Sequence, residues 1–245
     1  MTNRSDPAGK ARPGLAQGVI GASGGAVLGI ETGGRACSVA IFKDGMPVAH
    51  EHAATDHGHA TMLLPMIERV RAEAGCDYAE LGRIAVAVGP GSFTGIRVGL
   101  AAALGLSLAS SVPAVGVSSF QAVGTGMLTA PDVSGYRCFV LLDSRRDEPF
   151  LVEIGADDTF RTPPAVTTVA DLDALLAVAG PSIVVGDAPA IARGPKHFPQ
   201  HVRLVPMAPN ALLVAARAGD PQRRFDLPPK PVYIRAPNVT MPKPK

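Results

Sequence analysis

The chain has 245 residues, of which 47% are apolar and only 18% charged, a balance that is typical of a globular protein and excludes intrinsic disorder. Its 27 glycines and 23 prolines follow no repeat, which excludes collagen, and three cysteines are too few for a disulfide scaffold. The net charge of +2 divides unevenly, because residues 217–245 hold seven basic and two acidic residues and the body is acidic. A basic end is typical of a solubilising tail or of a segment that binds an anionic partner such as RNA.

The spacing of apolar residues predicts a first unit with the element order β-β-β-α-β-α-β-α. The Asp44-Gly45 turn between two apolar runs is a hairpin signal. In chain order, we expect strands at 27–32, 36–42 and 47–54, a helix at 60–74, a strand at 84–88, a helix from the 89–95 loop to about 110, a strand at 114–117 and a short helix capped by Ser118.

The second half begins like the first. We expect strands at 136–142, 149–155 and 182–185 and helices at 171–179 and 209–218. In both halves the first hairpin strand ends at an acidic residue, Glu31 or Asp143, which indicates a duplicated α/β unit. The predicted organisation is an N-terminal extension at 1–26, lobes at 27–126 and 127–235, and a basic, Pro-rich tail at 236–245.

An uncharged stretch at 98–117 is long enough to suggest a membrane span. Ser110, Ser111 and Pro113 interrupt it, so we interpret it as a buried helix followed by a strand. No apolar region of a secretory signal follows the early basic residues. The three cysteines are widely spaced, as expected for reduced thiols. These features predict a soluble, cytoplasmic protein without a membrane partner.

The most distinctive motif is the glycine-rich segment Gly89-Pro-Gly-Ser-Phe-Thr-Gly-Ile-Arg-Val-Gly99 between a strand and a helix. It is neither a Walker A loop nor G-x-G-x-x-G, so it is only a weak phosphate-binding signal. Gly95, Gly99 and Ala103 recur at helical spacing and would give the helix a flat face. We favour close packing of that face, within the chain or across an interface.

Two groups of polar residues are candidate sites. Residues His50, His52, His57 and His59 offer metal ligands, but no helical i, i+4 pair exists among them, so we favour loop polarity and predict no metal site. Glu31 and Asp143 could hold Mg²⁺ and phosphate between two lobes, or could simply cap turns. No Ser-His-Asp arrangement and no cysteine beside a base supports nucleophilic catalysis.

Together, several motifs resemble the TsaB (YeaZ) family. They are Leu28-Gly-Ile-Glu-Thr32, Ala36-Cys-Ser-Val-Ala40, His59-x-x-x-Leu63-Leu-Pro65, the 89–99 segment, Gly116-Val-Ser-Ser119, Asp143-Ser-Arg-Arg146 and Pro231-Val-Tyr-Ile-Arg235. The resemblance covers 27–122 and parts of the second half, whereas 1–26 and about 156–228 match weakly.

The resemblance implies a two-lobed ASKHA fold related to ribonuclease H and a role in making N6-threonylcarbamoyladenosine at position 37 of ANN-decoding tRNAs. It implies a noncatalytic subunit that pairs with its paralogue TsaD, which carries the metal, and through TsaD with the ATPase TsaE. It also implies a homodimer in isolation and only indirect contact with tRNA. The histidine pair of TsaD has no counterpart between 84 and 117, which fits a partner subunit.

Two departures from the family pattern concern ligand binding and a helix start. The family has Asp where this chain has Glu31, and Ser where it has Ala60. The first weakens the case for ATP or ADP binding, for which the candidate residues are Glu31, Thr32, Asp143 and Ser144. An ATP- and Mg²⁺-dependent phosphotransferase of the ASKHA superfamily is the alternative function.

We expect the helices at 63–70 and 94–109 to lie side by side and to offer a shared face to TsaD or to a second copy. The candidate interface residues are His59, Leu63, Leu64, Pro65, Ile67, Gly91, Ser92, Phe93, Thr94, Gly95, Arg97, Val98, Gly99 and Ala102. A bulky residue at Gly99 is expected to abolish the complex and to leave the monomer folded.

Overall fold

The computed structural model describes residues 25–128, 132–221 and 227–235. Its first sheet contains β1 (Ala26–Glu31), β2 (Ala36–Lys43), β3 (Met46–Ala54), β4 (Leu81–Gly89) and β5 (Ala114–Ser118). The strand order is β3-β2-β1-β4-β5. Strands β1, β2 and β3 form an antiparallel meander, whereas β4 and β5 run parallel to β1.

The second sheet repeats this arrangement strand for strand. It contains β6 (Arg137–Leu142), β7 (Phe150–Ile154), β8 (Ala165–Val166), β9 (Ser182–Gly186) and β10 (Val202–Pro206). The order is β10-β9-β6-β7-β8, and the parallel and antiparallel pairings match those of the first sheet. The predicted duplication and the two-lobed α/β ASKHA fold are therefore confirmed.

Six α-helices lie between or after the described strands. They are α1 (His59–Glu73), α2 (Phe93–Ser110), α3 (Ser119–Leu128), α4 (Val169–Val178), α5 (Ala188–Ala192) and α6 (Ala211–Gly219). All predicted helices are present within about two residues of their expected ends. Three elements, β8, α5 and β10, were not predicted.

The two lobes share a hydrophobic core. Helix α6 comes from the second half of the chain but packs on β1 and β2, and α3 contacts strands of both sheets. One cluster of buried residues includes Val27 and Phe42 of the first lobe with Val140 and Val185 of the second. A buried ion pair joins Arg217 Nε of α6 to Asp158 Oδ2 after β7, at 2.6 Å. The lobes are thus one packed unit.

Helix α2 is long and apolar enough to cross a membrane by length and composition alone. In this structure one side of it packs on the first sheet, where Ile96, Leu100 and Ala103 are buried. The expected helix followed by a strand is therefore present. The other side of α2 is exposed, so the helix is only partly buried and not fully buried as predicted.

Residues 227–235, which we call the strap, return to the first lobe. Leu227 pairs with Gly116 on the outer edge of β5 through hydrogen bonds of 2.7 and 3.0 Å. The chain changes from the first sheet to the second between α3 and β6. The predicted tail at 236–245 and all of the predicted N-terminal extension except residues 25 and 26 lie outside the described residues.

Candidate functional site

The glycine-rich loop is held against the first hairpin of the chain. Ser92 caps α2, because its side chain accepts a hydrogen bond from the Gly95 amide at 3.2 Å. The Ser92 amide itself donates to the Gly33 carbonyl at 2.8 Å, and the Ile96 amide donates to the Ser92 carbonyl. These amides have partners within the chain, so they are not available to hold a phosphate.

The small-residue face of α2 packs inside the chain. A Cβ atom on Gly95 would lie 2.0 Å from the Thr32 carbonyl oxygen, and one on Gly99 would lie 2.5 Å from Thr32 Oγ1. Thr32 Oγ1 also donates to the Gly95 carbonyl at 2.8 Å. The packing interpretation is correct within the chain. A bulky side chain at Gly99 would enter this contact, so we expect it to destabilise the monomer as well as any complex.

Three other candidate interface residues also belong to the interior. Leu63 and Ile67 are at most 1% exposed and are part of the core of the first lobe. His59 is buried at the start of α1, and its burial lowers its pKa, although a hydrogen bond with the backbone of Ala36 opposes this change. None of the three has free surface to offer a partner, which corrects their expected roles.

An exposed stripe remains on the opposite side of α2. Arg97, Ala101, Leu104 and Leu108 follow one another at intervals of three or four residues, so they share one helical face, which we call the α2 stripe. Leu104 is 46% exposed and Leu108 87%. Neither leucine is among the predicted interface residues, because that prediction rested on the glycine spacing. The leucine spacing was the signal that could have identified them.

The remaining candidate interface residues lie on α1, in the glycine-rich loop and on α2. Leu64 of α1 is 51% exposed. Pro65 and Thr94 are also exposed, whereas Gly91, Ser92, Phe93, Val98 and Ala102 are half-buried. Helices α1 and α2 contact each other, as expected. Of the candidate interface residues, Leu64, Pro65, Thr94 and Arg97 are therefore exposed on α1 and α2.

Glu31 stands at the end of β1 with its carboxyl group fully buried. Its Oε1 atom accepts hydrogen bonds from the amides of Gly33 and Gly34, at 2.5 and 3.1 Å. Burial raises the pKa of Glu31 to about 7, against the opposing effect of the backbone amides. Near neutral pH a large fraction of this carboxyl group is therefore protonated.

Asp143 stands at the equivalent end of β6 and is surrounded by cations. Arg35 Nε lies 2.8 Å from its Oδ2 atom, and Arg193 forms a second ion pair with Oδ1. The Asp143 amide donates to Asp187 Oδ2 at 2.9 Å, and burial raises the pKa of Asp187. Ser144, the fourth candidate nucleotide-binding residue, donates to the Glu148 carbonyl oxygen at 2.5 Å.

These contacts do not fit a Mg²⁺–nucleotide site. Glu31 is partly neutral, Asp143 is neutralised by two guanidinium groups, and Thr32 and Ser144 use their hydroxyl groups within the chain. Within 25–128, 132–221 and 227–235, no group of three or more His, Cys, Asp or Glu side chains is placed to hold a metal ion. His50 and His52 lie on the edge strand β3, where they face Ala40 and Ser38 of β2.

Comparisons with known proteins give a consistent relationship. Residues 51–199 match the family model of TsaD, tRNA N6-adenosine threonylcarbamoyltransferase. The chain is 32% identical over 132 residues to the tRNA threonylcarbamoyladenosine biosynthesis protein TsaB of Escherichia coli, covering 54% of this chain and 56% of that protein. It is 33% identical over 165 residues to an uncharacterized protein of Mycobacterium tuberculosis, covering 66% of this chain and 72% of that protein.

Solved structures support the same relationship at the level of the fold. YeaZ from Pseudomonas aeruginosa superimposes with a TM-score of 0.66 at 24% identity, over 85% of this chain and 99% of that one.

The matches to the TsaB proteins of Escherichia coli and Haemophilus influenzae span 56% and 53% of those relatives, just over half of their length.

Proposed function

Since this chain belongs to the TsaB (YeaZ) family, we propose that it is the noncatalytic subunit that pairs with TsaD, and through TsaD with TsaE. The assembled complex would transfer the threonylcarbamoyl group to adenosine 37 of ANN-decoding tRNAs in the cytoplasm. The subunit would contact tRNA only indirectly, and its contribution would be to hold TsaD in its active form.

The observation that carries this proposal is the exposed apolar surface on α1 and α2. Leu64, Leu104 and Leu108 are each about half exposed or more, and no charged residue follows Arg97 on α2. Exposed apolar side chains on two helices that contact each other are typical of a protein–protein contact. Burying each leucine is worth on the order of 1.5–3 kcal/mol before the costs of association.

The TsaD match explains why a paralogue would bind here. The matched residues, 51–199, include both helices of this surface. A partner with the same fold carries a corresponding helix pair, so two similar faces can meet around an approximate two-fold axis. The same reasoning supports a homodimer when TsaD is absent.

The contacts of Glu31 and Asp143 support a noncatalytic role over the phosphotransferase alternative. Phosphoryl transfer needs carboxylates that are free to hold a divalent cation, and both carboxyl groups are engaged otherwise. Calorimetry with Mg-ATP on the isolated chain tests this alternative. Micromolar binding with turnover would favour the phosphotransferase, and we expect neither.

The face itself can be tested with a charge on the α2 stripe. Leu108→Asp should abolish co-elution with TsaD in gel filtration, because it places an unpaired carboxylate in an apolar contact. Val178→Asp is the matched control, since Val178 is 82% exposed on α4 in the other lobe. A complex that survives Leu108→Asp, or one lost equally with Val178→Asp, would contradict the proposed face.

A further inference from the structure

We propose that Tyr233 of the strap is a positioning residue of the partner-binding face, so that the strap sets the affinity of the α2 stripe for its partner. This inference rests on the proposed function. It adds a segment about 130 residues distant in sequence to a surface otherwise built from α1 and α2.

Tyr233 forms a compact cluster with Phe93 and Arg97, which lie one turn apart at the start of α2. Its ring centroid lies 5.0 Å from that of Phe93, with the rings tilted by 31°. The Arg97 guanidinium lies 3.9 Å from the Phe93 centroid, on the ring face, and Arg97 Nε donates a hydrogen bond to Tyr233 Oη at 3.1 Å. Arg97 is therefore held by a stacking contact and a directed hydrogen bond together.

This cluster lies at the beginning of the α2 stripe. Phe93 precedes Arg97 by four residues, and Ala101, Leu104 and Leu108 continue the same helical face. A partner that covers the two leucines would reach Arg97 at the edge of the contact. Arginine and tyrosine are enriched among the residues that dominate binding energy in protein interfaces.

The strap holds Tyr233 in place from both directions. On one side, the Val232 amide donates to the Val88 carbonyl at 2.8 Å, and Leu227 is paired with Gly116. On the other side, Arg235 forms an ion pair with Glu148 of the second lobe. The tyrosine is thus fixed relative to β4 and β5 before any partner binds.

Fixing Arg97 in advance lowers the cost of binding. A free arginine side chain loses rotamer entropy when an interface immobilises it, and that loss weakens the complex. With Arg97 already stacked and hydrogen-bonded, much of this loss has occurred during folding. The role of Tyr233 is therefore preorganisation, which a binding measurement can separate from stability.

The test uses two substitutions at Tyr233 and the dissociation constant for purified TsaD by surface plasmon resonance. Tyr233→Phe keeps the ring contact and removes the hydrogen bond, so we expect about fivefold weaker binding with an unchanged melting temperature. Tyr233→Ala removes both and should weaken binding more than tenfold. Faster dissociation should account for most of both effects.

Tyr136 supplies the matched control. It is 39% exposed at the start of β6, and Arg203 lies 5.7 Å from its ring centroid. Tyr136→Phe and Tyr136→Ala therefore change a similar tyrosine–arginine pair away from the α2 stripe, and they should leave TsaD binding unchanged. Unchanged or tighter binding by both Tyr233 variants would overturn the inference.

Leu108→Asp separates this inference from the proposed function. If Leu108→Asp leaves the complex intact, the proposed face is wrong. If Leu108→Asp disrupts the complex while both Tyr233 variants bind as the wild type does, the face stands and only the role of Tyr233 is wrong. Tyr233→Phe remains informative even if Tyr233→Ala fails to fold.

Discussion

The ends of β1 and β6 are equivalent in topology but opposite in electrostatics. Strands β1 and β6 are each the first strand of their lobe; the buried residue Glu31 is the last residue of β1, and the buried residue Asp143 directly follows β6. The Glu31 carboxyl group accepts hydrogen bonds from backbone amides and has little compensating positive charge nearby. Burial therefore raises its pKa to about 7. Asp143 instead meets the guanidinium groups of Arg35 and Arg193.

The difference shows that a duplicated backbone does not preserve the chemistry of its strand ends. A buried carboxyl group can be accommodated by taking up a proton or by pairing with a cation. In the first lobe, Glu31 is accommodated mainly by taking up a proton. In the second lobe, Asp143 is accommodated by its ion pairs with Arg35 and Arg193. Neither arrangement leaves a pair of carboxylates for a shared metal ion, which is what a symmetric nucleotide cleft would need.

The largest effect is expected for Glu31→Gln. Because the folded-state pKa is raised from 4.5 to about 7, the wild type loses stability as the pH rises through this range. Glutamine mimics the neutral form, so the variant should be more stable at pH 8 by about 3 kcal/mol. Urea unfolding at pH 4, 6 and 8 measures this effect.

The control for Glu31→Gln is Glu73→Gln at an exposed position of α1. The two proteins carry the same change in charge, so a general charge effect would appear in both. Glu31→Gln should flatten the pH dependence between 4.5 and 7, whereas Glu73→Gln should not. Equal pH profiles would show that Glu31 is ionised in the folded protein at much lower pH.

An opposite and somewhat smaller effect is expected for Asp143→Asn. The substitution removes the charge that Arg35 and Arg193 share. Loss of one partner of a buried pair costs several kcal/mol, and because both arginines are partly exposed we expect a loss of about 2 kcal/mol. Asp147→Asn, in the same turn but exposed, is the control. A stabilising effect of Asp143→Asn would refute the contrast between the two ends.

The smallest effect is expected for Arg145→Gln. Arg145 crosses between the lobes, where it pairs with Asp56 and donates to the Gly34 carbonyl oxygen at 2.6 Å. Both ionic side chains are partly exposed, so salt should screen the pair. We expect a slightly lower melting temperature at low salt and a smaller difference from wild type at 1 M NaCl, a concentration at which the Debye length is about 3 Å.

Arg69→Gln is the control, because Arg69 forms a two-bond ion pair with Glu51 inside the first lobe. Arg145→Gln should additionally increase hydrogen exchange of the amides around Gly34, and Arg69→Gln should not. Arg145→Gln could instead lower the stability as much as Asp143→Asn does, with the same loss at 1 M NaCl. The interlobe ion pair would then be a major source of stability.

Most of the fold could be predicted from the sequence because its elements are regular. The hairpin of β1 and β2, the strand β4 and the helix α2 are long, strongly patterned and bounded by glycine or serine. The missed elements lack these properties. Strand β8 has two residues, α5 has five, and β10 is a half-exposed edge strand ending in proline.

The candidate site could be predicted only in part. Spacing identified α1 and α2 but could not tell which face of each helix packs inward, because glycine gives no side chain to classify. The contact of Gly99 with Thr32 depends on how α2 crosses the end of β1, and the contact of Arg97 with Tyr233 joins residues 136 positions apart. Such contacts follow from tertiary packing and leave no local pattern.

The placement of α6 has a consequence for how the chain folds during synthesis. Gly29 of β1 lies so close to α6 that a Cβ atom there would be 2.5 Å from the Ala211 carbonyl oxygen. The first lobe therefore lacks the part of its inner layer that covers β1 and β2 until residues 211–219 have left the ribosome, and the β5 edge stays uncovered until Leu227 follows. We expect the two lobes to gain and lose their structure together, in one cooperative transition, despite their repeated architecture.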